Sequence, residues 1–304
     1  MPRIAYFGPR GTFTEQAARA FADLERDELV PMDTVPNALA ATRRGDTDAS
    51  CVPVENSVEG AVPATMDALV ADEPLVAVAE TVLPVRFSVL VRPDTEVVRT
   101  VASHPHALAQ VRQWLAVNLP DAEVVAATST AAAAVAVQRG EFDAAVSAPV
   151  AVNHYPLHEL ATDVADVPDA KTRFLLLRRP GSLPAPTGAD RTSVVVTTPN
   201  RVGVLSELLT ELALRGISMT RIESRPTKGR LGEYRFFIDL EGHVAEPRVG
   251  DALAALHRHS REVRFLGSYP VAEPSVPARS PAATNADFTA AADWVAALRK
   301  GTGA

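Results

Sequence analysis

Short apolar runs, each of a length that suits a buried strand, recur through the first 180 residues and alternate with segments of helical periodicity. These runs cover residues 4–7, 49–54, 75–78, 87–91, 124–127, 144–147 and 174–177. Alternation of this kind is typical of an α/β domain in which helices cover a largely parallel sheet. The sequence therefore predicts such a domain in the N-terminal part of the chain.

The remainder of the chain differs in composition. Residues 181–190 are rich in proline, glycine and alanine, which interrupt helices and strand ladders, and they predict an exposed linker between domains at 1–180 and 191–269. The second domain shows the order strand, helix, strand, strand, helix, strand that is typical of the ferredoxin-like βαββαβ arrangement. Its predicted strands and helices cover residues 192–197, 202–214, 217–224, 234–240, 249–259 and 263–269.

The last segment, residues 270–304, is a tail that begins with proline, serine and alanine and ends in a short amphipathic pattern. One face of the predicted helix carries Phe288, Ala291, Val295 and Leu298. We expect this apolar face to dock, either on the body of the chain or on a partner subunit.

The formal net charge of -7 and the isoelectric point near 5.6 provide no general basic field. Binding to nucleic acid or to an acidic membrane surface is therefore not expected, although a local arginine cluster could still hold a small anion. The sequence contains no apolar run long enough to span a membrane and no secretory signal pattern, so a cytoplasmic protein without a membrane anchor is expected.

The single cysteine, Cys51, excludes an intramolecular disulfide and a thiolate metal cluster. It lies in an apolar run, where an inert buried thiol is expected. The sequence also lacks the histidine and cysteine spacing of metal sites, the nucleophile elbow of hydrolases and the glycine fingerprint of dinucleotide-binding enzymes. These absences leave no signal for a metal site, a hydrolase or a nicotinamide-dependent oxidoreductase.

The first polar motif is GPRGTF at residues 8–13, which joins a predicted strand to a predicted helix. Gly8 and Gly11 allow a sharp turn, and Thr12 with Glu15 three residues later forms a capping box. Free N–H groups at such a helix start suit a carboxylate. The same residues would also suit an ordinary capped helix.

The second motif is PVENS at residues 53–57, where an apolar strand runs into polar residues. The carboxyl ends of strands in open α/β sheets are common ligand sites. Asn56 and Ser57 therefore offer neutral hydrogen-bonding groups for substrate oxygens, with a simple Asx turn as the alternative.

The third motif is SHPHALAQ at residues 103–110, a loop that enters a helix. His104 or His106 could act as a general acid, although histidines beside proline are more often surface or structural residues.

The fourth motif is KTRF at residues 171–174, at the beginning of an apolar strand. Thr172 could hydrogen-bond a departing hydroxyl, and Arg173 could bind a carboxylate through two hydrogen bonds. A polar strand edge with a solvated arginine is the alternative.

Taken in this order, the four motifs resemble those of the prephenate dehydratase family. The second domain resembles the family's ACT domain through NRVGVL at residues 200–205 and ESRP at residues 223–226. The resemblance implies a catalytic domain of two lobes, like a type II periplasmic binding protein, followed by the ferredoxin-like ACT domain. The active site would lie in the cleft between the lobes, and the chain would cross near residues 76–80 and return near residues 160–172.

The resemblance also implies the reaction, in which prephenate loses carbon dioxide and its ring hydroxyl together to give phenylpyruvate. Because aromatisation drives this reaction, no cofactor is expected. Thr172 is the candidate for hydrogen-bonding the leaving hydroxyl, the carboxylates would be held by Arg173 and the amides near Thr12, and Phe174 would shape the apolar wall. Four further polar residues are expected to help bind the substrate: Asn56, Ser57, Ser103 and Gln110. The family often has glutamine at the place of His106, so His106 is not expected to belong to the site.

The implied regulator is L-phenylalanine, an allosteric inhibitor. ACT domains of this family pair side by side, so a homo-oligomer, either a dimer or a tetramer, is expected to bind phenylalanine at its subunit interface. The implied binding residues are Asn200, Val202, Gly203, Val204, Leu205, Glu223, Ser224, Arg225 and Pro226.

Two alternatives stay open at this point. Arogenate dehydratase would perform the same chemistry on the amino-acid form of the side chain. A non-catalytic amino-acid sensor is the alternative of another class, because both domain types also serve as ligand-binding modules, although Thr172 and Asn56 argue against it. No chorismate mutase or prephenate dehydrogenase segment is visible, so a monofunctional enzyme is expected.

Overall fold

The structure is a computed structural model that describes residues 1–227, 232–274 and 284–302. The chain separates into two compact units. The N-terminal unit comprises Met1–Glu73 and Thr81–Arg179, and the C-terminal unit comprises Pro74–Glu80 and Pro180–Ala304. A short piece from the middle of the N-terminal half therefore belongs to the C-terminal unit.

The first 178 residues contain eleven strands, interspersed with helices, and seven of these strands coincide with the predicted apolar runs. The strands are β1 (Arg3–Phe7), β2 (Glu28–Met32), β3 (Ala49–Asn56), β4 (Gly60–Ala61), β5 (Val76–Pro84), β6 (Ser88–Val91), β7 (Thr100–Ser103), β8 (Glu123–Ala126), β9 (Ala144–Ser147), β10 (His158–Ala161) and β11 (Lys171–Arg178). The helices are α1 (Phe13–Phe21), α2 (Val35–Arg44), α3 (Pro63–Ala71), α4 (Pro105–Gln110), α5 (Arg112–Asn118) and α6 (Thr130–Gln138), with a 3₁₀ helix at Pro149–Asn153.

The N-terminal unit contains two lobes. The first lobe, residues 1–73 and 171–179, is built on the strand order β2-β1-β3-β11, in which β1 is parallel to its neighbours and β11 is antiparallel to β3. The prediction of a largely parallel sheet is therefore correct for β1–β3 and wrong for β11. The reason is that β11 returns directly from the second lobe, without the helical crossover that a parallel pair needs.

Cys51 is buried in β3, as predicted, and burial raises the pKa of its thiol.

The second lobe, residues 85–170, has its own sheet in the order β10-β6-β9-β7-β8. Here β7 is parallel to β8 and β9, whereas β6 is antiparallel to β9 and β10. The Val85 N–H donates to the Ala170 carbonyl over 2.7 Å at the place where the chain enters and leaves this lobe. The expected first crossing at residues 76–80 is therefore too early, because the apolar strand β5 continues without a break to Pro84.

The C-terminal unit shows the predicted ferredoxin-like order. Its elements are β12 (Asp190–Thr197), α7 (Val204–Ala213), β13 (Met219–Pro226), β14 (Tyr234–Glu241), α8 (Pro247–His259) and β15 (Glu262–Pro270), with strand order β13-β14-β12-β15. Val194, Val196 and Ile238 pack with the helices in one apolar core. From the piece of β5 in this unit, Ala77 pairs with Gly267 of β15.

The opposite face of this sheet carries a buried polar cluster. Ser193 hydrogen-bonds both Asp239 and Tyr269 over 2.7 Å, and Arg221 donates to the second Asp239 oxygen over 2.9 Å. Because neighbouring residues of a strand face opposite sides, Ser193 lies on the side away from the core formed by Val194. The sheet therefore buries side chains on both faces.

The predicted tail helix is α9 (Asn285–Arg299). It is joined to the unit through Asn285, whose amide donates to Glu246 over 2.8 Å. The apolar face predicted to dock is largely exposed in a single chain: Val295 is 37% and Leu298 43% exposed. Within the described ranges, no helix has the length and apolar character needed to cross a membrane.

Candidate active site

A cavity of about 220 Å³ in the N-terminal unit is lined by the carboxyl ends of β1 and β3, the beginning of β11, and the segments that follow β5, β7 and β8. It contains a residue from each of the four motifs, namely Thr12, Asn56, Gln110 and Thr172. Known ligand pockets for larger, drug-sized molecules are typically about 300–1,000 Å³, so this volume suits a small substrate. The topology thus gathers residues that lie up to 160 positions apart in the sequence (from 12 to 172).

Thr172 and Asn56 face each other across the antiparallel pair β3 and β11. The Asn56 Nδ2 donates to the Thr172 Oγ1 over 2.9 Å. The Asn56 Oδ1 accepts the N–H groups of Val58 and Glu59 over 2.8 and 2.9 Å, which fixes the orientation of the amide. Because the Thr172 oxygen accepts a hydrogen bond from Asn56, its own O–H proton is free to donate into the cavity.

Thr12 caps α1 and thereby brings the beginning of this helix to the cavity. Its Oγ1 accepts the Glu15 N–H and donates to the Phe7 carbonyl, each over 3.2 Å. The predicted capping box is present in altered form, because the Glu15 carboxylate accepts the Gly11 N–H over 2.6 Å. Gly11 has φ +85, a left-handed conformation that glycine adopts without strain.

The Glu15 carboxylate also joins the two lobes. It lies 2.9 Å from the His154 Nε2 and 2.8 Å from an Arg19 nitrogen. Nearby, the Tyr155 hydroxyl donates to the Arg10 carbonyl over 2.8 Å. This cluster was not predicted from the sequence, because its two parts lie about 140 residues apart and form no local motif.

The Glu15 cluster predicts a dependence of stability on pH. Burial favours the neutral acid, but the hydrogen bonds from Gly11 and Arg19 and the nearby His154 outweigh it, so the pKa of Glu15 lies below its ordinary value of 4.5. A carboxyl with a lowered native pKa stabilises the fold above its unfolded pKa, and this contribution is lost as pH falls through the native pKa. The difference in free energy of unfolding between the parent protein and Glu15→Gln should therefore shrink on acidification. Urea unfolding at a series of pH values measures this difference in free energy. A difference that stays constant would contradict the lowered pKa of Glu15.

His104 lines the cavity, although it is not among the residues predicted to bind the substrate. Burial and the neighbouring His106 hold the pKa of His104 below its ordinary 6.5, so the ring is neutral near pH 7. Its Nδ1 accepts the His106 N–H over 3.3 Å, which leaves the proton of the neutral ring on Nε2. His106 itself is exposed and does not line the cavity.

Gln110, at the end of α4, is 8% exposed and lines the same cavity. Its Oε1 is buried and has no hydrogen-bond partner in the described part of the chain. Buried amide groups are normally paired, so this side chain is available to a ligand.

Four predicted substrate-binding residues are not brought to the cavity. Arg173 lies 3.3 Å from Glu55, on the side of β11 opposite to Thr172, as strand alternation requires. Phe174 is buried in the core. The Ser57 hydroxyl accepts the Lys171 N–H over 2.9 Å, and the Ser103 hydroxyl donates to the Val146 carbonyl over 2.6 Å.

Other residues complete the lining. The apolar wall expected from Phe174 is formed instead by residues that include Phe13 and Phe87, whose rings meet edge to face with centroids 5.5 Å apart. Thr128, Ser129 and Thr130 come from the beginning of α6. They directly follow the apolar run at residues 124–127, so the rule that ligands lie at the carboxyl ends of strands could have identified them.

A second cavity of about 640 Å³ adjoins the first and shares Phe7, Thr128 and Ser129 with it. Its lining adds the charged side chains of Arg10 and Asp33. It contains neither Thr172 nor Asn56, so the smaller cavity is the candidate active site.

The C-terminal unit places its two predicted ligand motifs at one end of the sheet. Thr197 of β12, three residues before the first motif, pairs with Arg235 of β14, which pairs with Arg225 of β13, so Thr197 and Arg225 are about 10 Å apart across two strand spacings. Gly203, with φ +83, caps α7, and Val202 is fully exposed. The remaining predicted residues lie on the same two segments: Asn200, Val204, Leu205, Glu223, Ser224 and Pro226.

Comparisons with known proteins agree for both units. The family model for prephenate dehydratase matches residues 4–182, and the model for the ACT domain matches residues 192–258. The prephenate dehydratase of Amycolatopsis methanolica is 68% identical over 302 residues, which are 99% of each chain. That of Mycolicibacterium vanbaalenii is 48% identical over 316 aligned residues, again 99% of each. A crystal structure of prephenate dehydratase in complex with L-Phe from Arthrobacter aurescens is 43% identical, covers 98% of this chain and 99% of its own, and superposes with a TM-score of 0.91.

Proposed function

Because this chain belongs to the prephenate dehydratase family and is a lyase, we propose that prephenate is converted to phenylpyruvate in the cavity that contains Thr172 and Asn56. The observation that carries this assignment is the 2.9 Å hydrogen bond from Asn56 to Thr172. It leaves the Thr172 O–H free to donate toward a substrate oxygen, which the reaction needs at its leaving hydroxyl.

The reaction breaks two bonds of prephenate. The electrons of the bond to the ring carboxylate move into the ring as carbon dioxide leaves, and the bond to the 4-hydroxyl breaks as the ring becomes aromatic. Thr172 donates a hydrogen bond to the oxygen that gains negative charge, and that oxygen then takes up a proton from solvent to become water. His104, whose neutral ring carries its proton on Nε2, also lines this cavity and offers a second donor. Phe13 and Phe87 form the apolar surface beside the ring.

The test is the formation of phenylpyruvate by purified protein, with prephenate and arogenate assayed in parallel. Turnover of prephenate above its spontaneous rate supports the proposal, and a preference for arogenate would show the related activity instead. Absence of both activities, with phenylalanine still bound, would leave the sensor interpretation.

We further propose that phenylalanine inhibits a cytoplasmic homo-oligomer through the C-terminal unit. The Arthrobacter aurescens relative is described in complex with L-Phe, and both ligand motifs are present here. The first-turn amides of α7 would take the carboxylate of the amino acid. Binding between paired ACT domains would favour one arrangement of the subunits. It inhibits the enzyme because phenylalanine binds the less active arrangement better.

Gly203→Ala should weaken inhibition by phenylalanine while turnover without the inhibitor stays near that of the parent. Alanine is strained at φ +83, so the turn that positions the amides of α7 must change. The concentration for half-inhibition should rise about 5- to 150-fold if the allosteric coupling is lost. Gly188→Ala is the matched control, because Gly188 also has a left-handed φ, of +86, and open surroundings but lies in the linker. Equal sensitivity of the Gly203 variant and the parent would contradict the assignment.

A further inference from the structure

The lining of the candidate active site has an unusual charge balance for its substrate. Prephenate carries two carboxylates, yet the cavity is lined by no arginine or lysine and by no acidic residue. Its single titratable side chain, His104, is neutral near pH 7 because burial and His106 lower its pKa. This lining therefore offers the carboxylates no charged side chain, and Arg10 and Asp33 border only the larger adjoining cavity.

Two helix beginnings face the cavity, one from each lobe. Besides Thr12 and α1 from the first lobe, the lining includes Thr128, Ser129 and Thr130 at the beginning of α6. The Ser129 hydroxyl accepts the Ala132 N–H over 2.9 Å, and the Ser129 carbonyl accepts the Ala133 N–H over 3.1 Å. The N–H group of Thr130 precedes these, has no carbonyl of the helix to pair with and belongs to the cavity lining, so it is placed to bind an anion.

A second observation points to a ligand in the same space. Gln110 is more than nine-tenths buried, lines the cavity with Thr128–Thr130, and its Oε1 has no partner in the described part of the chain. An unsatisfied buried amide is costly unless a ligand or water completes its hydrogen bonds. A polar group of the substrate is therefore expected in this cavity, beside Gln110.

We propose that the beginning of α6 is the subsite for the side-chain carboxylate of prephenate, an assignment that rests on the proposed function. The 4-hydroxyl and the side chain are attached at opposite positions of the ring. A substrate with its hydroxyl at Thr172, in the first lobe, therefore directs its side chain away from β3 and β11, toward the second lobe. Thr128 and Ser129 also border the larger adjoining cavity, which provides room for this side chain.

The chemistry agrees with this choice of carboxylate. The ring carboxylate loses its charge as carbon dioxide forms, so strong binding of that group would stabilise the substrate more than the transition state. The side-chain carboxylate keeps its charge throughout and remains in phenylpyruvate. This carboxylate is therefore bound equally well in the substrate and in the transition state. Losing that binding should raise KM while leaving kcat nearly unchanged.

Thr130→Pro tests the subsite directly, because it removes one N–H group without disfavouring the helix. Thr130 is the first residue of α6, where proline is well tolerated, and the preceding Ser129 has φ -157 and ψ 164, an extended conformation that suits a residue before proline. The variant should raise KM for prephenate by roughly 10- to 100-fold, and the inhibition constant of phenylpyruvate by the same factor, with kcat within about threefold. Thr130→Ala keeps the N–H group and measures how much of the rise in KM is due to loss of the hydroxyl.

A second pair of variants keeps the test decisive if the proline variant unfolds. Thr128 is exposed at the cavity edge, so Thr128→Glu adds a charge that repels a carboxylate, and Thr128→Gln reports the effect of the added bulk alone. A larger rise in KM and in the phenylpyruvate inhibition constant for Glu than for Gln supports the subsite. A rise in KM without a change in product inhibition would place the ring carboxylate there instead and overturn the proposal, as would unchanged constants in both pairs. Absence of turnover in the parent protein would reject the proposed function itself and is distinguishable from these results.

Discussion

Replacing Thr172 with alanine is expected to lower kcat by about 100-fold or more, because removal of one preorganised donor to a developing oxyanion typically costs roughly 2.7–4 kcal/mol in the barrier. The effect should appear mainly in kcat, because the hydroxide gains its charge only in the transition state. The fold should persist, because the Thr172 side chain lines the cavity, where its hydroxyl receives a hydrogen bond from Asn56. Steady-state kinetics measures the loss of kcat, and circular dichroism shows whether the fold persists.

Two matched variants sharpen this result. Thr172→Ser keeps the hydroxyl and should recover most of the activity. Asn56→Asp replaces the amide that donates to Thr172 with a carboxylate that accepts, which turns the threonine proton away from the cavity. Its kcat should therefore fall even though Thr172 is present. Full activity of Thr172→Ala would exclude the threonine from the chemistry.

The second large effect is expected on stability, in the C-terminal unit. Asp239→Ala removes the acceptor of Ser193 and leaves the mostly buried Arg221 without this carboxylate. Breaking a buried ion pair by removing one partner typically costs about 3–5 kcal/mol, so the unfolding transition of this unit should move to much lower urea concentration. Inhibition by phenylalanine should be lost at lower temperature than catalysis.

Glu262→Ala provides the control for that prediction. Glu262 lies 3.8 Å from Arg264 and is about half exposed, and exposed pairs are worth only about 0–1 kcal/mol. A loss of stability as small for Asp239→Ala as for Glu262→Ala would show that the buried cluster does not stabilise the unit.

The predicted strands were correct where apolar residues run together, as in β3, β6 and β9. Four strands were not predicted: β2, which contains Pro31 and is partly exposed, and the short strands β4, β7 and β10. β2 and β7 lie beside stronger apolar strands, so pairing with a neighbour rather than their own composition determines them.

Part of the active site was predictable for a similar reason. Thr12, Asn56, Gln110 and Thr172 stand at strand ends or helix ends, and the topology brings such ends together. Arg173 shows the limit of motif reasoning, because the residue next to Thr172 in a strand must face the other side. The contact between Glu15 and His154 depends on how two lobes meet, which no local pattern encodes.

The assignment of Pro74–Glu80 to the C-terminal unit bears on how this protein can be cut or recombined. Glu80 pairs with Arg191 and accepts the Ala272 N–H over 3.0 Å, and Ala77 faces Gly267 of β15. A fragment that starts after the linker would lack these partners, whereas one that ends at the linker would retain an apolar strand segment without its covering neighbour, a known cause of aggregation. Regulatory domains cannot therefore be exchanged between relatives at the linker alone, and a working chimera must carry residues 74–80 from the same parent as its C-terminal half.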